Sequence, residues 1–253
     1  MTVNPDAAGV DAEEIAKFER IAEEWWDPFG KFKPLHKFNP ARLGYIRDRI
    51  CDHFDRERTS SAPLSGLRLL DVGCGGGLVA EPMRRLGASV TAVDASARNI
   101  QVARLHAERQ GLEIDYRAGT VEVLGDAVAR GDEEPFDIVL NLEIIEHVPD
   151  VSAFIAASAK LLGPKGLMIT ATLNRTLKSL ALAKIGAEYI LRWLPVGAHD
   201  WRKFVTPAEL RRALAAAGLA PSAETGLSYN PLFDNWTLSQ DMAVNYMIAA
   251  AKI

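Results

Sequence analysis

From Leu67 onward, short apolar segments alternate with segments that carry helix-start and helix-stop signals, and this alternation constrains the fold more than any other feature. Ser96 and Asp150 stand where a side chain can cap a helix N-terminus, and Gly87 and Gly111 stand where a helix would end. The predicted strands are RLLDVG, SVTAVDA, IDYRAG, FDIVLNLE and LMITATL. Strands and helices that alternate in this way form βαβ units. We therefore predict an α/β, Rossmann-like fold with a mostly parallel twisted sheet and helices on both faces.

The part of the chain before this alternation is predicted to be helical. Residues 11–25 have the apolar spacing of an amphipathic helix, and Pro40 is predicted to open a second helix that runs to Phe54. We therefore expect two regions, an N-terminal helical cap over residues 1–66 and a core over residues 67–253.

The C-terminal part adds a helix and further strands. Thr206 and Glu209 have the spacing of a capping box, which predicts a helix that ends at Gly218. Strand-like segments follow around Leu227 and over residues 244–248.

Composition excludes several classes of protein. The formal net charge of the 253 residues is −4, which argues against a general nucleic-acid binder. Cys51 and Cys74 are the two cysteines, too few for a disulfide framework and typical of a reducing compartment. The acidic N-terminal residues predict no signal peptide, and no apolar run is long enough to span a membrane. We expect a cytoplasmic protein.

A glycine-rich turn follows the first predicted strand, and its glycines are Gly73, Gly75, Gly76 and Gly77. A turn in this position lies in the crevice where doubly wound sheets bind ligands. The dinucleotide fingerprint would place its third glycine where this chain has Leu78. With Asp71 before the glycines, the pattern instead resembles the adenosylmethionine-binding turn of methyltransferases. Asp94 ends the second strand, where an acid can accept ribose hydroxyls. The alternative is a tight turn beside an ordinary strand-end aspartate.

The stretch NLEIIEHVPD places Glu143, Glu146 and His147 directly behind the fourth predicted strand. Charged side chains at a strand end are often simply solvated. In the ligand crevice, however, His147 could act as a general base, and the trio could ligate Mg²⁺ or Mn²⁺. The sequence leaves ligation and proton transfer by His147 as open alternatives.

Residues 174–204 form a basic, amphipathic segment in an otherwise acidic chain. Six basic and two acidic residues give this segment a net charge of +4 and leave −8 for the rest of the chain. Its interfacial aromatic residues are Tyr189, Trp193 and Trp201. A basic amphipathic segment with such residues is typical of contact with an anionic membrane surface, and the alternative is a lid over the ligand crevice.

Several longer motifs reach well beyond the glycine turn. They are WWDPFGKFKPLHKFNPARLGYI, LDVGCGGGLVAE, EIIEHVPD, TLNRTLKS, GAEYILRWLPVGAHDWRKFVTPAEL and GLSYNP. On these motifs the chain resembles the ubiquinone biosynthesis O-methyltransferases over nearly all residues after the first twenty. The stretches 54–67 and 125–134 are longer than this family leads us to expect, and both are interpreted as surface loops.

The resemblance implies a class I methyltransferase fold and transfer of a methyl group from S-adenosylmethionine. The substrates it implies are 2-polyprenyl-6-hydroxyphenol and 3-demethylubiquinol. It implies cofactor contacts at Arg42, Gly73, Asp94 and Leu142, to which the turn adds Asp71 and Gly75. It also implies dependence on a divalent cation such as Mg²⁺, for which Glu143, Glu146 and His147 are the natural ligands. Peripheral localisation at the inner face of the membrane and contact with a ubiquinone-biosynthesis assembly would suit a polyprenyl substrate.

Three alternatives stay open from the sequence. The first is a methyltransferase for another small phenol, and the second is a non-catalytic adenosylmethionine-binding scaffold of a quinone-biosynthetic assembly. The third is a nicotinamide oxidoreductase, against which Leu78 counts.

Overall fold

The computed structural model describes residues 24–30, 32–181, 200–230 and 232–253. The helices are α1 Lys33–His53, α2 Ala80–Arg85, α3 Ala97–Arg109, α4 Val121–Arg130, α5 Val151–Lys160, α6 Leu177–Ser179 and α7 Pro207–Ala216, and a 3₁₀ helix spans Trp201–Lys203. The strands are β1 Arg68–Val72, β2 Ser89–Asp94, β3 Asp115–Ala118, β4 Phe136–Leu142, β5 Leu162–Leu173, β6 Leu219–Asn230, β7 Asn235–Ser239 and β8 Asn245–Lys252.

The strands of the described residues form one sheet in the order β3-β2-β1-β4-β5-β8-β6-β7. The first five strands in this order pair in parallel, as the βαβ alternation predicts. The last three, from the C-terminal part of the chain, extend the sheet with antiparallel pairs. The predicted α/β class with helices on both faces is confirmed.

The core lies in two layers, because alternate residues of each strand point to opposite faces of the sheet. On one face Leu69 and Leu140 pack in a cluster with Ile46 and Ile50 of α1 and with residues of α2 and α3. On the other face the buried residues of β1, β4 and β5 pack against α4, α5 and α7. Helix α1 therefore shares one core layer with the sheet.

Local capping signals identified three of the helix starts correctly. The side chains of Ser96, Asp150 and Thr206 each accept a hydrogen bond from the backbone N–H three residues further on. Thr206 and Glu209 form the complete capping box. These bonds satisfy N–H groups that a helix leaves unpaired in its first turn.

Two predicted boundaries were wrong. Helix α1 begins at Lys33, with Pro34 in its first turn, so Pro40 lies inside the helix and does not open it. The predicted loop 125–134 is largely helical, because α4 continues to Arg130 before Gly131 ends it with a φ of 78°.

Residues 11–23 of the predicted first helix and residues 182–199 of the basic segment lie outside the described residues. None of the helices that the structure describes is long and apolar enough to cross a membrane.

Candidate active site

The glycine turn and the acidic stretch meet because β1 and β4 are parallel neighbours whose carboxyl ends lie at the same edge of the sheet. After β1, the N–H groups of Gly73 and Cys74 donate to the carbonyl oxygen of Val93 on β2, over 2.8 and 3.1 Å. After β4, the N–H of Glu143 donates to the carbonyl oxygen of Ala171 on β5, over 2.9 Å. These bonds fix both segments to the strands beside them.

Glycine is required in the turn by both conformation and space. Gly73 has a φ of 69° and Gly75 a φ of 54°, values that a residue with a Cβ rarely adopts. A Cβ on Gly73 would also lie 2.4 Å from the side chain of Ile144. Leu78 is buried in a small cluster with Trp25 and Phe32, so the position that would hold a third glycine in a dinucleotide fold has a packing role here.

Asp94 is held beside this turn by three hydrogen bonds. Its Oδ2 atom accepts from the N–H of Gly75 over 2.9 Å. Its Oδ1 atom accepts from the N–H of Ser96 over 2.8 Å and from the side-chain amide of Asn99 over 3.2 Å. The predicted ribose-binding acid therefore lies directly against the glycine turn.

Asp71 is a buried carboxyl at the end of β1. Burial, with a smaller effect from the nearby charge of Asp94, raises its pKa to about 7 against the opposing positive charge of Arg42. Its Oδ2 atom receives no hydrogen bond from any residue that the structure describes. A carboxyl in this position is a site for a cation or a proton.

Arg42 of α1 is buried in the same region. Its guanidinium donates to Oδ1 of Asn39 and lies 3.7 Å from Oε1 of Glu143. Burial lowers the pKa of Arg42, and the charges of Glu143 and Asp71 counteract this effect. The arginine predicted from the family resemblance thus lies between the two acidic segments that the sequence singled out.

The carboxyl groups of Glu143 and Glu146 are neighbours. Burial, the charge of Glu146 and the hydrogen bond that the two carboxyls share once one is protonated raise the pKa of Glu143 to about 7, against the charges of Arg42 and His147. The exposed fraction of the Glu143 side chain is 25%, and protein atoms surround the rest, so burial still raises its pKa. Glu143 has a φ of 53°, so its backbone is held in an unfavourable conformation. A carboxyl with a pKa near 7 can accept a proton at neutral pH.

The predicted metal-ligand set does not assemble as a three-ligand site. Across residues 24–181 and 200–253, as far as they are described, no group of three or more His, Cys, Asp or Glu side chains is placed to hold a metal ion. Glu143 and Glu146 are brought together, and His147 lies near enough for its charge to affect the pKa of Glu143. The three residues therefore do not fit the tridentate arrangement expected from the sequence.

Leu142 and three residues outside the predicted set of site residues complete the site. Leu142 is buried at the end of β4. Thr172 donates to Oε2 of Glu146 over 2.7 Å. Trp25 donates from its indole N–H to the side-chain oxygen of Asn99 over 3.1 Å. These contacts join residues far apart in the chain, so no local motif could reveal them.

Comparison with known proteins shows the family to which this chain belongs. A family model described as a methyltransferase domain matches residues 43–223. A ubiquinone biosynthesis O-methyltransferase of Chelativorans sp. (strain BNC1) is 58% identical over 96% of this chain and 94% of its own length. The protein of the same name from Bartonella bacilliformis is 56% identical over 99% of both chains.

Among solved structures, magnesium protoporphyrin IX methyltransferase from Synechocystis PCC 6803 with bound SAH is similar with a TM-score of 0.58 and 18% identity, over 93% of this chain and all of that one. At this identity the likeness shows the fold alone. The sequence relatives are far more similar and match nearly end to end. The chain belongs to the ubiquinone biosynthesis O-methyltransferases.

Proposed function

We propose that the protein transfers a methyl group from S-adenosylmethionine to a phenolic hydroxyl of a polyprenylated ring in ubiquinone biosynthesis. The proposed acceptors are 2-polyprenyl-6-hydroxyphenol and 3-demethylubiquinol. The names of the relatives at 55–58% identity support the reaction class and the pathway.

The observation that carries the proposal is the excess of carboxyl groups around one buried arginine. Asp71, Glu143 and Glu146 lie in or beside the crevice with Arg42, and Asp94 lies against the glycine turn. Buried carboxylates without enough positive charge are costly, so the site favours a cationic ligand. S-adenosylmethionine supplies such a cation, a sulfonium that carries an electrophilic methyl group.

The proposed cofactor contacts follow the positions of the side chains. Asp94 would accept the ribose hydroxyls, while the backbone of Gly73 and Gly75 would contact the cofactor at the turn. Arg42 would bind the methionyl carboxylate, since its Nε–H is buried without an acceptor in the described part of the chain. Leu142 would pack against the adenine.

The proposed acid–base step uses the carboxyl pair. A phenol with a reference pKa of about 10 is mostly protonated at neutral pH and is then a weak nucleophile. Glu143, paired with Glu146, would accept the phenolic proton as the oxygen attacks the methyl carbon and the carbon–sulfur bond breaks, with His147 as the alternative base. The raised pKa of Glu143 supports this assignment, because a base is most effective near the working pH.

Dependence on a divalent cation such as Mg²⁺ stays a prediction from the family resemblance. Because the described residues assemble no three-ligand site, no step above is routed through a metal ion.

Membrane contact through residues 174–204 also stays a prediction. The ends of this segment that the structure describes include Leu177, whose exposed fraction is 78%, and Lys178, which pairs with Asp241. Trp201 donates to the carbonyl oxygen of Thr176 over 2.9 Å, so the two ends contact each other. We retain the division into an N-terminal cap (1–66) and a core (67–253) as a proposal.

The test is methyl transfer from labelled S-adenosylmethionine to short-tailed demethylubiquinol and to simple catechols without a tail. Faster turnover with the prenylated acceptor supports the proposal. Equal turnover favours a methyltransferase of small phenols, and cofactor binding without transfer to any acceptor favours a non-catalytic scaffold.

A further inference from the structure

The segment formed by residues 24–30, which we term the aromatic strap, lies against the glycine turn. A Cβ on Gly75 would come within 2.5 Å of the Trp25 ring, and one on Gly76 within 2.4 Å of the same side chain. Trp26 donates from its indole N–H to the carbonyl oxygen of Gly76 over 2.8 Å. Two of the turn glycines are therefore needed to accommodate a tryptophan of this chain, whatever the turn binds.

Trp25 is fixed in this position. Its ring stacks on Phe32, with centroids 3.8 Å apart and planes inclined by 13°. A ring nitrogen of His36 lies 2.9 Å from its backbone carbonyl oxygen. The exposed fraction of Trp25 is 8%, so its indole N–H must be satisfied within the protein.

The partner of this indole N–H is a residue that in turn holds Asp94. Trp25 donates to Oδ1 of Asn99, and Nδ2 of Asn99 donates to Oδ1 of Asp94. Asn99 is 3% exposed. Because the indole N–H occupies the amide oxygen, the amide is oriented with its NH₂ group toward the carboxylate.

From this chain of bonds we infer that Trp25 and Asn99 are positioning residues, which orient the Asp94 carboxylate for the two ribose hydroxyls of the cofactor. The inference rests on the proposed cofactor contact of Asp94. Without the indole donor, the Asn99 amide is free to turn its oxygen toward Asp94, where it would repel the carboxylate. The aromatic strap thus belongs to the cofactor site through two hydrogen bonds.

The test compares Trp25→Phe, which keeps a ring against the turn but loses the donor, with Asn99→Ala and the double variant. Trp236→Phe is the matched control, because Trp236 packs on Phe38 and not on the glycine turn. Binding of S-adenosylhomocysteine is measured by calorimetry, together with binding of an analogue that lacks both ribose hydroxyls. Unfolding temperatures of all variants are recorded alongside.

We expect Trp25→Phe, which loses a hydrogen bond to a neutral amide, to bind S-adenosylhomocysteine about fivefold more weakly. Asn99→Ala loses a hydrogen bond to a carboxylate and should bind it about tenfold more weakly. The double variant should match Asn99→Ala, since Trp25 acts through Asn99. Neither substitution should affect binding of the analogue, and Trp236→Phe should affect neither ligand.

Three results would overturn the inference: unchanged affinity for S-adenosylhomocysteine in both single variants, equal losses for the two ligands, or additive losses in the double variant. Equal losses would show a general packing role. A wild-type protein that fails to bind S-adenosylhomocysteine would instead contradict the proposed function itself.

Discussion

The hydroxyl of Thr172 on β5 donates a hydrogen bond of 2.7 Å to Oε2 of Glu146, and both side chains are buried. Glu146 lies in the turn after β4, which is the parallel neighbour of β5. The bond therefore holds one member of the carboxyl pair at a fixed place beside the other, and the proton-accepting ability of Glu143 depends on that neighbour.

Replacing Thr172 with valine tests this relationship, because the two side chains have nearly the same shape. Loss of a bond to a buried carboxylate should lower the free energy of unfolding by about 1–3 kcal/mol. It should reduce kcat about tenfold and leave the affinity for S-adenosylhomocysteine unchanged, since Thr172 is not a proposed cofactor contact. Thr172→Ser, which retains the hydroxyl, is the control and should restore most of kcat. A Thr172→Val enzyme with wild-type kcat would show that Glu146 needs no fixed position.

Neutralising either member of the carboxyl pair should affect catalysis much more than binding of S-adenosylhomocysteine, which lacks the sulfonium charge. Glu143→Gln cannot accept the phenolic proton, and its kcat should fall by roughly 10²–10⁴, the range for loss of a general base. Glu146→Gln removes the charge that helps to raise the pKa of Glu143, so its kcat should fall as well. Glu134→Gln is the matched control, since that side chain is exposed and remote from the turn after β4. If kcat of Glu143→Gln and Glu146→Gln stays within a few-fold of the wild type, His147 becomes the leading base.

Asp71 should make stability depend on pH in an unusual direction. Its pKa is about 7 in the folded protein and close to 4 in the unfolded chain, so the folded state binds the proton more tightly. Its contribution to stability is therefore present below about pH 4 and is lost as the pH rises to about 7. Asp71→Asn should raise the free energy of unfolding above that of the wild type by a few kcal/mol at pH 8, where the buried carboxyl of the wild type is charged. The increase should be smaller at pH 5, where this carboxyl is protonated in the folded protein.

Urea unfolding of the cofactor-free protein at both pH values measures this difference. The asparagine oxygen can keep the hydrogen bond that Asp71 accepts from the backbone of Ala80, so the substitution mainly removes the charge. An effect of equal size at the two pH values would contradict the raised pKa.

Removal of divalent cations tests the prediction that comes from the family resemblance. If the dependence that the resemblance implies holds, turnover ceases after treatment with chelator and returns when Mg²⁺ is added. S-adenosylhomocysteine binding should persist throughout, because no proposed cofactor contact requires the ion. Full turnover in the presence of chelator would end the metal prediction and leave the carboxyl pair to act by proton transfer.

Features set by neighbouring residues were predictable from the sequence. The caps at Ser96, Asp150 and Thr206 are local hydrogen bonds, and the parallel strands follow from the regular alternation of strands and helices. Helix α4 was missed because Gly125 lies in its middle, where glycine is unfavourable. Tertiary packing on the sheet, through Val121 and Leu124, outweighs that preference.

The site was predictable only in part, because much of it depends on tertiary packing between segments far apart in the chain. Glycines and acids at strand ends indicate a ligand crevice because the sheet brings those ends together. Arg42 is one of several arginines in α1, and only the family resemblance singled it out. The contacts of Trp25 with Asn99 and of Thr172 with Glu146 depend on how distant segments pack, which no spacing along the chain encodes.

The central claim is O-methyl transfer to a polyprenylated phenol. Its most direct test is the transfer of labelled methyl from S-adenosylmethionine to short-tailed demethylubiquinol by the wild-type protein and by Glu143→Gln, with product identified by mass spectrometry. The account predicts one methyl group on the ring oxygen with the wild type and at least a hundredfold slower transfer, of roughly the size expected for a lost base, with the variant. No methylated quinol from a wild-type protein that binds the cofactor would contradict it.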